Sequence, residues 1–80
     1  MRIDKFLKNS RLIKRRIIAK EACEHDRIFI NEKPAKPGTE VKIGDIVRIQ
    51  FGNSIIKARV VSLSLLTSKE SAETMYEIVD

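Results

Sequence analysis

Eighty residues suffice for one compact domain and are too few for two, and a 42% hydrophobic share beside 34% charged residues fits a small soluble globule with no run near the ~20 apolar residues of a membrane span. The one cysteine, Cys23, cannot make an internal disulfide, nor complete a zinc site with the one histidine, His25, which points to a reducing, cytoplasmic setting. The net charge of +5 is concentrated: residues 1–20 carry eight cations against Asp4 alone, so this quarter holds +7 and the remaining sixty residues sum to −2.

Ile3, Phe6 and Leu7 stand at i, i+3 and i+4, which predicts a short helix from Arg2 to Lys8, interrupted by Asn9 and Ser10. Asp4 falls in its first turn, where a negative charge suits the helix dipole. A second helix is expected from about Lys14 to Glu24, with Ile18, Ala19, Ala22 and Cys23 on one side and Arg16 and Lys20 about 40° apart on another. Asp26 follows where a left-handed residue would end the helix.

From Ile28 the period changes to two. Ile28–Ile30 reads as a strand and Asn31-Glu32-Lys33 as a tight turn, followed by an irregular stretch around Pro34, Pro37 and Gly38. Val41–Ile43 is a short strand or extended segment, and Gly44-Asp45 a turn. Ile46–Phe51 and Ile55 to about Leu63 pair as strands around a Gly52-Asn53 hairpin turn. Thr67–Glu73 is expected to form a helical turn before a strand-like Met75–Val79. The fold class is therefore α+β: two N-terminal helices packed on a small, mostly antiparallel sheet, as a single domain over residues 1–80 with an acidic C-terminal segment from about residue 68.

Lys14, Arg15 and Arg16 crowd the start of the second helix, where the dipole makes exposed cations unfavourable by roughly 0.3–1 kcal/mol each. A bound phosphate reverses that sign, because free N–H groups and cationic side chains then face the same anion. Arg2, with its rigid donor fork, is placed to reach phosphates or a base edge. Asp4 either orients a neighbouring arginine or caps the first helix. Catalytic constellations are lacking: Cys23 lies on the apolar face, His25 stands at a helix end, and Ser62 and Ser64 have no evident base. No cofactor motif is present, so an enzyme is not expected. Phe6, Phe29 and Phe51 read as core residues, leaving Tyr76 as the other aromatic. Recognition of an RNA or DNA backbone would then rest on phosphate, with strong salt dependence.

The runs Arg2-Ile3-Asp4-Lys5-Phe6-Leu7, Ser10-Arg11, Arg15-Arg16 through Ala19-Lys20-Glu21-Ala22, Arg27-Ile28-Phe29-Ile30-Asn31 and Val41-Lys42-Ile43-Gly44-Asp45-Ile46-Val47 closely resemble the S-four-type RNA-binding domain over about residues 1–51. Phe51-Gly52 and Ala72…Met75-Tyr76 extend the likeness to its stand-alone members in bacterial ribosome-associated quality control. That resemblance implies binding to the rRNA of stalled large ribosomal subunits and to peptidyl-tRNA. It further implies partnership with an RqcH-like tail-elongating factor in the alanine tailing of the nascent chain. The RNA-contacting residues it implies are Arg2, Lys5, Arg11, Arg15, Arg16 and Lys20, with Asp4 as their organiser.

A heat-shock-type factor rescuing large subunits, or an rRNA-assembly helper, is the nearest alternative. The acidic ending (Glu70, Glu73, Glu77, Asp80), in place of a basic extension, favours quality control. A protein-interaction module with an acidic partner is the alternative from another class. No extensive apolar interface is evident, so the free protein is expected to be a monomer. The family usually has Gly where this chain has Asp26 and Glu32, turn positions that glycine suits because it adopts a positive φ without steric cost.

Overall fold

The computed structural model describes residues 1–63 and 75–79; the helical turn expected over Thr67–Glu73 lies outside them. Two helices, α1 (Ile3–Asn9) and α2 (Arg16–Glu24), precede strands β1 (Ile28–Ile30), β2 (Lys33–Pro34), β3 (Ile46–Phe51), β4 (Ser54–Val60) and β5 (Tyr76–Val79). The strands form one sheet in the order β2-β1-β3-β4-β5, every neighbouring pair antiparallel. The chain has the α+β class and the helix pair that its periodicity predicts.

Ile3, Phe6 and Leu7 of α1 are fully buried, and with Ala19, Ala22 and Cys23 of α2 they cover the inner sheet face of Ile28, Ile30, Val47 and Ile49. The small residues of α2 let the two helices approach closely. Ile18, expected on that inner side, is instead 42% exposed, because the buried arc of α2 is only wide enough for residues 19, 22 and 23.

The period of two along β1 also decides the fate of the phenylalanines. Ile28 and Ile30 take the inner face, so Phe29 faces outward, where the Arg48 guanidinium covers its ring at 4.0 Å. Phe51 ends β3 beyond the core and is 37% exposed. Only Phe6 of the three is the core residue that composition suggested.

The structure settles one open segment and departs from expectation at another. Of the two readings open for Val41–Ile43 the strand is not formed; Val41 is buried and its N–H donates to the Met1 carbonyl at 3.0 Å. The stretch expected to be irregular contains β2, which pairs Lys33 with Ile30 across a two-residue turn. That turn places Asn31 at φ 51° and Glu32 at φ 68°, so a left-handed pair closes it without glycine. Asn31 pins it by accepting the Ile46 N–H at 3.0 Å and donating to Asp45 at 3.1 Å. Glu32 pairs with Arg48 at 3.2 Å, which directs its charge onto the sheet.

Asp26 adopts φ 56° as sequence predicts, and the backbone around it closes α2. Its N–H donates to the Cys23 carbonyl at 3.3 Å, while the Arg27 N–H reaches the Ala22 carbonyl at 2.9 Å. This is the double bond pattern of a Schellman motif.

Candidate nucleic-acid interface

The two helices begin differently from the expected limits, and the difference builds the site. Arg2 is the extended residue before α1, and Arg15 the extended residue before α2; neither position carries a side-chain cap. Lys14 lies outside the helix in the preceding loop. The first two N–H groups of α1, which no intrahelical carbonyl can accept, are satisfied by a distant loop. Ile3 N–H donates to the Thr39 carbonyl at 2.8 Å and Asp4 N–H to the Pro37 carbonyl at 3.4 Å. Residues 37–39 are thereby held against the start of α1, and an isolated bridge between Arg2 and Glu40 continues the junction.

Arg2, Asp4, Arg16, Ile17, Lys20, Pro37 and Gly38 line the groove that results. Asp4 sits at its base, 7% exposed, with Oδ1 accepting the Lys5 N–H at 2.8 Å. Its Oδ2 accepts from Arg16 Nε at 3.4 Å. Asp4 fills both roles open to it: Oδ1 satisfies a first-turn N–H of α1, and Oδ2 orients Arg16. Arg16 and Lys20, one turn apart on α2, stand on the exposed side, and α2 has no acid in its first turn. A rim of three cations around one buried carboxylate is suited to phosphate oxygens, which accept charge-assisted hydrogen bonds from guanidinium and ammonium groups.

A second basic depression lies at the turn between the helices and is lined by Lys8, Asn9, Arg11 and Lys14. Arg11 adopts φ 61°, a left-handed conformation that turns the chain back on itself. Buried Ser10 fixes this turn: its Oγ donates to the Leu7 carbonyl at 3.2 Å and accepts the Leu12 N–H at 3.4 Å. The site residues expected from sequence thus divide. Arg2, Asp4, Arg16 and Lys20 share the groove, Arg11 belongs to the depression, and half-buried Lys5 and exposed Arg15 line neither. Lys14, which the sequence places in a phosphate-suited cluster with Arg15 and Arg16, instead joins Arg11 together with Lys8; the signal for Lys8 was only the charge count of residues 1–20, which carries no direction.

Beneath α2, burial first, then the charges of Asp4 and Glu24, push the Cys23 thiol up from 9.0 to about 11. It is a core group and not a poised nucleophile. At the exposed end of the junction, Glu40 accepts from the N-terminal ammonium at 2.9 Å, and that contact draws its carboxyl below the usual range.

The S4 domain model matches residues 1–47, which contain every residue of the groove and the depression. Over 79 residues the chain is 52% identical to the RQC P-site tRNA stabilizing factor of Listeria monocytogenes, covering 99% of this chain and 86% of that protein. The factor of the same name from Bacillus subtilis is 48% identical over 79 residues, with 99% and 92% coverage. The chain belongs to the RqcP family of S4 domain proteins. Its fold matches that of Vibrio cholerae Heat Shock Protein 15, described as trimeric, with a TM-score of 0.89 at 25% identity, over 99% of this chain and 81% of that one. A solution structure of hypothetical protein HP1423 matches with a TM-score of 0.84 at 28% identity, over 100% and 98%. By their printed name these relatives are factors that stabilize P-site tRNA in RQC.

Proposed function

We propose that the chain is a non-catalytic factor that holds peptidyl-tRNA on obstructed large ribosomal subunits through the exposed face of α1 and α2. It contacts large-subunit rRNA and the tRNA in the cytoplasm, is a monomer when free, and supports alanine tailing of the stalled nascent chain by an RqcH-like factor. The observation that carries this reading is the groove in which Arg2, Arg16 and Lys20 surround the buried Asp4 that anchors Arg16. Arg11, Arg15 and Lys5, with Lys8 and Lys14, extend the cationic surface along the same helix pair. Such a surface recognises phosphates and the shape of folded RNA, because the aromatics are few and Phe6 is buried.

A heat-shock-type rescue role has one observation in its favour, the fold match to Heat Shock Protein 15. In sequence that likeness is weaker: the Heat Shock Protein 15 homolog of Aeromonas salmonicida is 31% identical, and the match spans 59% of its length. The quality-control reading is therefore preferred.

Sedimentation of tagged protein in cell lysate, at low and raised salt, tests the proposal. The wild type should travel with free large subunits that contain peptidyl-tRNA, and Arg16→Ala and salt should each release it. Protein that stays at the top of the gradient at every salt concentration would overturn ribosome binding. Capture of an acidic protein that survives nuclease treatment would support the interaction-module alternative.

A further inference from the structure

The basic groove contains a residue that phosphate contacts alone do not use. Ile17 is 71% exposed and lines the groove beside Lys20, its i+3 neighbour on the α2 surface. Single exposed apolar side chains are ordinary on any protein. Ile17 is distinguished by its position amid three cations, and by how little the fold gains from it. A β-branched side chain loses rotamer freedom in a helix, and at this exposure it buries little in return. The facing wall has a matching feature. A side chain at Gly38 would meet no protein atom within 4 Å, and its φ lies outside the left-handed region. Neither packing nor backbone conformation requires glycine there, whereas a low wall suits close approach of a ligand to the backbone.

We infer that the groove receives one unstacked nucleotide of the RNA. Its base packs on Ile17 against the Pro37–Gly38 wall, and the flanking phosphates lie on Arg2, Arg16 and Lys20. This inference rests on the RNA-binding reading above and adds a substrate class to it. A continuous duplex offers phosphates to the cations but keeps its base faces in the stack, so it cannot reach Ile17. Loops and bulges, whose bases splay out, can.

The test uses fluorescence anisotropy with three RNAs of equal length: a blunt duplex, the same duplex with one bulged adenosine, and the same with an abasic bulge. The wild type should bind the adenosine bulge about tenfold more tightly than the blunt duplex, the size expected of one buried apolar contact. The abasic bulge should lose that preference. Ile17→Ala should bind all three RNAs as the wild type binds the blunt duplex, and Gly38→Leu, which fills the groove, should abolish the preference. Melting temperatures should be unchanged in both variants, since each substituted position is exposed. Equal wild-type affinity for the three RNAs, or an Ile17→Ala loss shared equally among them, would overturn the nucleotide site and leave the phosphate-binding reading standing. Failure of the wild type to bind any of the RNAs, or binding indifferent to Arg16→Ala, would overturn both.

Discussion

Arg16 reaches into solvent from a carboxylate that does not: its side chain is 51% exposed, while that of Asp4, whose Oδ2 accepts its Nε at 3.4 Å, is 9% exposed. The pair fixes the guanidinium before RNA arrives, which removes part of the ordering cost of roughly 0.5–1.5 kcal/mol per immobilised side chain. Asp4→Asn should therefore weaken RNA binding about fivefold, although it adds one positive charge. With Arg16→Ala already present, Asp4→Asn should weaken it no further. Tighter binding by Asp4→Asn in the wild-type background would mean that the carboxylate acts only as a repulsive charge. Arg16→Ala should also cost on the order of 1–2 kcal/mol of stability, read by chemical denaturation, because a buried acceptor loses its cation.

The depression at Lys8, Arg11 and Lys14 should contribute through counterion release. Each alanine substitution there should lower the slope of log affinity against log salt by about 1, with little change in preference among RNA sequences. A slope unchanged by Lys8→Ala, Arg11→Ala and Lys14→Ala combined would remove this depression from the interface.

Asp26 holds φ 56° at the end of α2, where glycine is the unstrained choice. Asp26→Gly should stabilise the protein by up to about 1 kcal/mol, raising the melting temperature by roughly 4–8 °C. The Lys36 ammonium lies 3.9 Å from Asp26 and both side chains are exposed, so loss of that pair offsets little. A lower melting temperature would show that the pair outweighs the backbone strain.

Cys23 makes stability depend on alkaline pH. The unfolded thiol titrates near 9.0, whereas the folded thiol, raised by burial, holds its proton to about 11. Its contribution is complete below pH 9 and is lost as pH rises toward 11, on the order of 1–3 kcal/mol. Cys23→Ala lowers stability at every pH but should remove this part of the alkaline decline in denaturation curves. Identical slopes for the two proteins above pH 9 would contradict it.

The parts of the fold that follow from local pattern were legible in the sequence. Ile3, Phe6 and Leu7 announce α1, the alternation from Ile28 and from Ile46 announces β1 and β3, and Asp26 marks the end of α2. What long-range contact decides was not. Nothing local says that the Pro37 and Thr39 carbonyls accept the N–H groups of α1, yet that contact brings Pro37 and Gly38 to Arg2 and Arg16. Lys8 and Lys14 meet Arg11 because Arg11 turns left-handed, a conformation arginine does not advertise. Phe29 and Phe51 were misplaced because hydrophobicity reports the preference for burial, while register and strand end decide which face receives each ring.

The most direct test of the central claim is the affinity of the purified protein for purified large subunits carrying peptidyl-tRNA, against vacant large subunits, at one fixed salt concentration. The account predicts tighter binding to the tRNA-bearing subunits and a marked loss with Arg16→Ala on both. Equal affinity for the two kinds of subunit, unaffected by Arg16→Ala, would contradict it.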